Sequence, residues 1–183
     1  MDKQETIKHA MTFGFGGMNA TELSFLYDFC KDKNVLELGS HVGQSSYVIS
    51  ATAKHVCCVD AWQDDTPFLE EKQAVEYRKQ PKGMLQQFID NVRNVRENVW
   101  MVQGFTQDSV DKTRDDYDIV LIDADHSYEG VKRDIELYRN KAPIIIFHDY
   151  NTPSWEGVKR AVDESGLKIT GICEFLCITE KED

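Results

Sequence analysis

Val35-Leu-Glu-Leu-Gly-Ser-His-Val-Gly-Gln-Ser-Ser46 is the stretch that decides the fold of this chain. It begins as a short apolar strand, turns at Gly39 and Gly43, and continues into the start of a helix. A second apolar run, Val56-Cys-Cys-Val-Asp60, predicts another buried strand that ends in a carboxylate. The two runs together predict a βαβ unit that binds a nucleoside, with Asp60 accepting the ribose hydroxyls.

Glu37, near the exit of the first strand, indicates which nucleoside is bound. A carboxylate at this place repels a pyrophosphate but tolerates a cationic ligand, so the residue favours S-adenosylmethionine over a dinucleotide. A nicotinamide-dependent oxidoreductase is the alternative enzyme class, since it shares the glycine turn and Asp60. The incomplete G-x-G-x-x-G pattern disfavours it. A non-catalytic protein that binds the cofactor is the third reading, because a fold does not fix a function.

Composition restricts the partners that this protein can have. The 183 residues carry a formal net charge of −11, and no sustained basic run interrupts the acids, so we expect neither nucleic acid nor a membrane as partner. The start, Met1 to Thr6, lacks a signal sequence, and the apolar run Ile144 to Phe147 is too short to cross a bilayer. Five cysteines without metal-finger spacing predict reduced thiols and a cytoplasmic protein.

Short apolar runs alternate with helical periodicity along the whole chain, which predicts one α/β domain over residues 1–183. Strands are predicted at Asn34–Leu38, His55–Asp60, Val99–Val102, Tyr117–Ile122 and Pro143–Phe147, with two more within Leu167–Thr179. Helices are predicted at Gln44–Ala53, Leu85–Val95, Val131–Tyr138 and Trp155–Val162, and Thr21 is the expected cap of an earlier one.

Two segments lie outside this alternation. Residues 1–20 form an N-terminal segment, and the polar stretch 63–83, with Phe68 and Tyr77, predicts a lid over a small-molecule substrate. The alternative is that these aromatic residues only anchor a surface loop. The same two segments are the candidates for contact with a second subunit in a homo-oligomer.

Polar or glycine residues follow five of the predicted strands, where open α/β sheets bind their ligands. These exits are Glu37–Gly43, Asp60–Trp62, Gln103–Gly104, Asp123–His126 and His148–Tyr150. Neighbouring parallel strands lie about 5 Å apart, so the last two exits can converge on one divalent cation. Oxygen ligands favour Mg²⁺, whereas a histidine ligand shifts the preference toward Mn²⁺, Fe²⁺ or Zn²⁺. The alternative for Asp125 is a cap on the helix that opens at Tyr128.

At these residues the chain resembles the class I S-adenosylmethionine-dependent methyltransferases, and among them the small-molecule O-methyltransferases that include macrocin- and novobiocin-type sugar methyltransferases. The matching pieces are Val35 to Ser45, Val59 to Trp62, Ile122 to Val131 with Asp134, and Phe147 to Tyr150. The resemblance implies a Rossmann-like, doubly wound sheet of seven strands, mostly parallel with an antiparallel last strand, and helices on both faces. It also implies methyl transfer to a hydroxyl of a sugar or polyol-like acceptor.

The resemblance also implies a role for each matching residue. Around the cofactor it places Glu37, Gly39, Ser40, Gly43 and Ser45 at the methionine, Asp60 at the ribose, and Ala61, Trp62, Gln103 and Gly104 at the adenine. Asp123 belongs to two sets: it is one of the cofactor residues, and it is one of the metal ligands together with His148 and Asp149. Asp125 matches a general base.

One departure from this resemblance concerns His148, because relatives often carry two acids where this chain has His148-Asp149. The imidazole either changes the metal or removes it. Without a metal, His148 or His126 becomes the candidate general base, since an unperturbed imidazole has a pKa of about 6.5.

Overall fold

The computed structural model describes residues 1–14, 17–63 and 82–181. Within these ranges seven strands form one sheet: β1 (Asn34–Leu38), β2 (His55–Asp60), β3 (Val99–Gln103), β4 (Ile119–Ile122), β5 (Ile144–Phe147), β6 (Lys168–Cys173) and β7 (Leu176–Glu180). Their order is β3-β2-β1-β4-β5-β7-β6. The first five run parallel, and β7 is antiparallel to both β5 and β6. The predicted doubly wound sheet with an antiparallel last strand is confirmed.

Helices cover both faces of this sheet. The described helices are α1 (Lys3–Ala10), α2 (Ala20–Phe29), α3 (Gln44–Ser50), α4 (Met84–Phe88), α5 (Tyr128–Tyr138) and α6 (Glu156–Asp163). The first four pack on the face that Val35 contributes to, and the last two pack on the face of Leu36 and Leu38. This alternation along β1 is what a strand buried on both sides requires.

The start of α2 differs from the sequence prediction. Asn19, not Thr21, is the N-cap: its side-chain oxygen accepts from the N–H groups of Thr21 and Glu22 at 2.8 and 3.1 Å. The carboxylate of Glu22 in turn accepts from the N–H of Asn19 at 2.8 Å. This reciprocal pair is a capping box, and it places Thr21 inside the first turn, where its hydroxyl is not needed as a cap.

Helix α4 is shorter than the predicted helix and continues as a π-helical turn at Ile89–Arg93. The widened turn packs against Gly43, where an added Cβ would lie 2.3 Å from a methyl carbon of Val92. The side chain of Asn91 donates to the carbonyl of Val42 at 3.0 Å. The interrupted helix therefore holds the turn between β1 and α3 in place.

Three of the expectations are not tested by the described residues. Residues 64–81 of the predicted lid at 63–83 lie outside the described residues, and the single-domain organisation and the homo-oligomer stay predictions. Among the described residues, no helix is long and apolar enough to cross a membrane. The five cysteines, all in the described ranges, are free thiols.

Candidate functional site

A cavity of about 340 Å³ opens at the carboxyl ends of β1, β2, β4 and β5. It includes the point between β1 and β4 where the strand order reverses, which is where open α/β sheets bind ligands. Most of the predicted site residues line it: Gly39, Ser40, Ser45, Asp60, Ala61, Gly104, Asp123, Asp125, His126, His148 and Asp149. The volume falls within the usual range for small-molecule sites.

Asp60 occupies the wall of this cavity at the end of β2. One of its carboxylate oxygens accepts from the N–H of His41 at 2.8 Å, and the other accepts from the N–H of Trp62 at 2.6 Å. Burial raises the pKa of Asp60, and these two hydrogen bonds oppose the rise. The carboxylate is thus fixed in direction, with lone pairs left for hydroxyl donors in the cavity.

Four predicted cofactor residues do not line the cavity, namely Glu37, Gly43, Trp62 and Gln103. Trp62 packs against Phe88 with 4.7 Å between ring centroids, and its indole N–H donates to the carbonyl of His41 at 2.7 Å. Gln103 is exposed, and its amide donates to the carbonyl of Ala61 at 3.4 Å. The side chains of Trp62 and Gln103 thus contact the loops of the cavity wall and do not form its surface.

Glu37 is fully buried behind the wall, where the hydroxyl of Ser46 donates to it. Burial raises the pKa of this carboxyl, and the hydrogen bond from Ser46 opposes the rise; its Oε1 has no hydrogen-bond partner among the described residues. Ser40 and Ser45 line the cavity as well. Glu37 itself is therefore separated from the ligand space by the wall that these serines form.

Four side chains from the exits of β4 and β5 meet at one side of the cavity: Asp123, His126, His148 and Asp149. Oδ1 of Asp123 lies 3.3 Å from Nε2 of His126 and 3.0 Å from Nδ1 of His148. Oδ2 of Asp149 lies 3.0 Å from the same His126 atom and 3.3 Å from the same His148 atom. We call these four residues the acid–imidazole cluster.

The cluster has the chemistry of a cation site. Burial lowers the pKa of both imidazoles, but the two carboxylates outweigh it and raise the pKa of His126 to about 9 and that of His148 to about 12. Burial also works against ionisation of Asp149, yet the imidazoles bring its pKa well below the usual range. The carboxylates therefore stay ionised and favour whatever positive charge lies between them, a proton pair or a metal ion.

The spacing of these donors also fits a metal ion. Donors that are neighbours around one cation at about 2.0–2.2 Å lie roughly 3 Å apart. Each imidazole nitrogen of the cluster lies 3.0–3.3 Å from both carboxylate oxygens, and all four donor atoms lie within 4.8 Å of one another. Outer contacts hold two of the ligands: the indole of Trp155 stacks on His126 at 4.8 Å, and the hydroxyl of Thr152 donates to Asp149 at 2.6 Å. Asp149 has a φ of +59°, a conformation that non-glycine residues adopt rarely and often at functional sites.

Asp125 lies at the cavity but outside the cluster. The helix cap that the sequence left open for Asp125 belongs to Ser127, whose hydroxyl accepts from the N–H of Gly130 at 3.1 Å. Asp125 instead accepts from the N–H of Ser127 at 2.9 Å, and its other oxygen lies 3.6 Å from the guanidinium of Arg133. The cap alternative is therefore wrong, and the carboxylate remains on the ligand side.

Sequence reasoning missed several residues that line the cavity, namely Gly17, Met18, Gln44, Met84, Phe105, Thr106, Gln107, Arg133 and Trp155. Gln44 directly follows the quoted glycine turn, and its side-chain oxygen Oε1 accepts from the N–H of Met18 at 3.3 Å. The position of Gln44 at a helix start was a usable signal. Gly17 and Met18 reach the cavity through tertiary contacts, which no local sequence pattern predicts.

The cavity and its cluster can be compared with known proteins. A family model described as "Methyltransferase domain" (Methyltransf_24) matches residues 36–150, more than half of the chain. No curated protein matches the sequence significantly.

Solved structures share the fold at low sequence identity. A protein proposed to be a caffeoyl-CoA O-methyltransferase from Staphylococcus aureus aligns with a TM-score of 0.66 at 16% identity, covering 100% of this chain and 93% of that one. An SAH-bound methyltransferase from Podospora anserina gives 0.62 at 14%, covering 99% and 88%. A protein proposed to be an RNA methyltransferase from Pyrococcus horikoshii gives 0.60 at 17%, covering 99% and 98%. At these identities the likeness establishes the fold alone, a Rossmann-like methyltransferase fold.

Proposed function

The chain belongs to the methyltransferase domain family Methyltransf_24, and from that premise we propose that it transfers a methyl group from S-adenosylmethionine to a hydroxyl of a small, sugar- or polyol-like molecule. The single observation that carries the proposal is the shared cavity, which holds the Asp60 carboxylate at one side and the acid–imidazole cluster at another. A nucleoside cofactor and an acceptor hydroxyl can therefore occupy adjoining parts of one cavity.

For the cofactor, we propose that Asp60 accepts the ribose hydroxyls, with Gly39 and Ser40 at the methionine part. The orientation of the Asp60 carboxylate by two backbone N–H groups supports this assignment. Glu37 lies buried behind Ser40 and Ser45, where a nearby sulfonium or ammonium group would favour the ionised form of its carboxyl against the effect of burial. An SAH-bound relative of the same fold is in line with it.

For the metal, we propose that Asp123, His148 and Asp149 hold a divalent ion and that His126 is a fourth donor. Two imidazoles beside two carboxylates favour Mn²⁺, Fe²⁺ or Zn²⁺ over Mg²⁺, which prefers oxygen ligands alone. When bound, such an ion lowers the pKa of the acceptor hydroxyl and orients it. Asp125, at the same cavity but outside the cluster, then takes the proton.

For the acceptor, the charge of the protein supports a small molecule rather than RNA. The net charge is −11, and Arg133 is the one lysine or arginine among the described residues that line the cavity. A surface of this kind repels a phosphate backbone. One structural neighbour is proposed to be an RNA methyltransferase, so RNA is kept as an outcome of the test.

Equilibrium binding and methyl transfer test the proposal in sequence. We expect the protein to bind S-adenosylhomocysteine and not NAD⁺; binding of NAD⁺ alone would contradict the cofactor assignment. With radiolabelled S-adenosylmethionine and Mn²⁺, we expect transfer to members of a panel of sugars, polyols and phenols. Transfer to RNA alone would overturn the acceptor class. Tight cofactor binding without transfer to any acceptor would favour a non-catalytic binding protein.

A further inference from the structure

Glu22 is a buried carboxylate that the proposed chemistry leaves unused. It lies in the first turn of α2, before the part of the chain that the family model matches, and it is 0% exposed. Its Oε2 accepts from the N–H of Asn19 in the capping box, and its Oε1 accepts from the N–H of Phe175 at 3.1 Å. The capping box explains Oε2 but not the position of Oε1.

Oε1 of Glu22 also faces His148. It lies 3.5 Å from Nε2 of the ring, and this nitrogen is buried without a hydrogen bond among the described residues. The other ring nitrogen, Nδ1, faces Asp123 and Asp149. The His148 side chain is 2% exposed, so water does not compete for either nitrogen.

The N-terminal segment encloses this imidazole from a second side. A Cβ added to Gly17 would lie 3.3 Å from Cε1 of His148, the carbon between the two ring nitrogens. A side chain at residue 17 would therefore press on the ring. Gly17 and Glu22 together restrict how the imidazole can turn.

The protonation chemistry of an imidazole links these contacts. A neutral histidine that offers the lone pair of Nδ1 to a cation keeps its single proton on Nε2. Among the described residues, Glu22 is the one carboxylate that pairs with Nε2 and not with Nδ1. A buried N–H without an acceptor is costly, so a carboxylate at this place favours the tautomer that can bind a metal.

We propose that Glu22 is a positioning residue of the metal centre: it accepts the Nε2 proton of His148 and so presents Nδ1 to the cation. This inference rests on the proposed metal role of the acid–imidazole cluster. Carboxylates that hold the outer N–H of a metal-bound histidine fix the ring and raise its basicity, and their loss weakens metal binding roughly 10- to 100-fold. The N-terminal helix α2 thereby becomes part of the site.

Zn²⁺ titration of the metal-free full-length chain, with a chelating competitor, tests this inference. We expect Glu22→Ala to weaken Zn²⁺ binding by roughly 10- to 100-fold while the dissociation constant of S-adenosylhomocysteine stays unchanged. Glu22→Gln, whose amide oxygen can still accept from Nε2, should recover most of the affinity. Asn19→Ala is the matched control, because it removes the cap of the same helix turn without touching His148.

Every other outcome contradicts the positioning role of Glu22, or both this role and the metal role of the cluster. Equal Zn²⁺ affinity in Glu22→Ala and the wild type overturns the positioning role and leaves the metal proposal intact. An equal loss in Asn19→Ala overturns it too, since the effect would then be that of helix stability. A wild type that binds no divalent ion overturns both proposals.

A spectroscopic measurement decides the matter even where Glu22→Ala does not fold. In the Zn²⁺-loaded wild type, long-range ¹H–¹⁵N spectra should show the proton of His148 on Nε2 and a metal-bound Nδ1. The opposite tautomer overturns the proposal. In Glu22→Gln, we expect the same tautomer with a shifted Nε2 resonance, because a neutral acceptor replaces a charged one.

Discussion

The backbone of Gly39 lies directly against the carbonyl group of Asp123, so that a Cβ on residue 39 would come within 2.1 Å of that oxygen. Gly39 directly follows β1, and Asp123 directly follows the neighbouring strand β4. The absence of a side chain at Gly39 thus keeps the turn between β1 and α3 beside the acid–imidazole cluster. A side chain here would separate the two halves of the cavity.

Gly39→Ala should therefore destabilise the fold and weaken cofactor binding. The substitution combines a φ of +89° with a clash against backbone, and we expect a loss of about 3 kcal/mol or more in the free energy of unfolding. Gly166→Ala is the matched control, because its φ is +71° but nothing lies within 4 Å of an added Cβ. It should cost only about 1–2 kcal/mol. Urea denaturation checks both values, and equal losses would contradict a role for the contact with Asp123.

Asp60→Ala tests the ribose assignment. Removing the carboxylate should weaken S-adenosylhomocysteine binding by about 2–4 kcal/mol, the value of a pair of charge-assisted hydrogen bonds. Asp116→Ala is the control for the change in net charge, since Asp116 is exposed and pairs with Arg114. Isothermal titration calorimetry should show the loss in the first variant alone. Equal binding by both variants would remove Asp60 from the cofactor site.

Strands β1 to β5 could be predicted from sequence because each is a short, mainly apolar run next to a polar or glycine residue, whereas β6 and β7 could be placed only within Leu167–Thr179. The bounds of β1 and β2 agree with the prediction, and the same logic placed Asp123 and Asp149 at one sheet edge. Helix limits were less accurate: α3 ends at Ser50 instead of Ala53, because the N–H groups of Ala51 and Thr52 bond to carbonyls three residues back, as in a tightened last turn.

Contacts between distant segments could not be read from the sequence. Glu22 looks like an ordinary capping residue, and only folding brings it 3.5 Å from a histidine more than a hundred residues away. The resemblance places Trp62 at the adenine, yet its indole packs against Phe88. Both depend on how helices dock on the sheet, which is set by tertiary packing.

Proton and metal binding to the cluster should have opposite effects on stability as the pH rises. The folded pKa values of about 9 for His126 and about 12 for His148 exceed the unfolded value near 6.5. Their contribution to stability is therefore complete below pH 6.5, and that of His126 is lost as the pH rises through 9. Thermal unfolding in EDTA should show that stability falls as the pH rises through 9, and the fall should be smaller in His126→Gln.

Zn²⁺ or Mn²⁺ should stabilise the same protein more at pH 8.5 than at pH 6.5, because protons compete for the ligand atoms of His126 and His148. The shift in melting temperature on adding metal, measured across this range, checks the prediction. A shift that is independent of pH would argue against imidazole ligands.

Asp134 should make the protein less stable above pH 4. Burial raises the pKa of this fully buried carboxyl to about 6, although the hydroxyl of Thr106 donates to it at 2.5 Å. The unfolded chain ionises near pH 4 and the folded chain near pH 6, so stability falls between these values. Asp134→Asn keeps an acceptor for Thr106 and cannot ionise. Its unfolding free energy should exceed that of the wild type at pH 7 by about 1 kcal/mol or more. If the variant and the wild type differ in unfolding free energy by the same amount at pH 4 and at pH 7, the raised pKa of Asp134 is contradicted.

Asp125→Asn should separate proton transfer from binding. The amide keeps an oxygen for the N–H of Ser127, so the turn before α5 should hold and cofactor affinity should stay within about twofold. It cannot take a proton from the acceptor hydroxyl, and turnover should fall by roughly 10²- to 10⁴-fold. Ser127→Ala is the control, since it removes the cap of the same helix and leaves the Asp125 carboxylate in place. Unchanged turnover in Asp125→Asn would show that Asp125 is not the base. His126 would then be the candidate, and the pH–rate profile of the enzyme would test it.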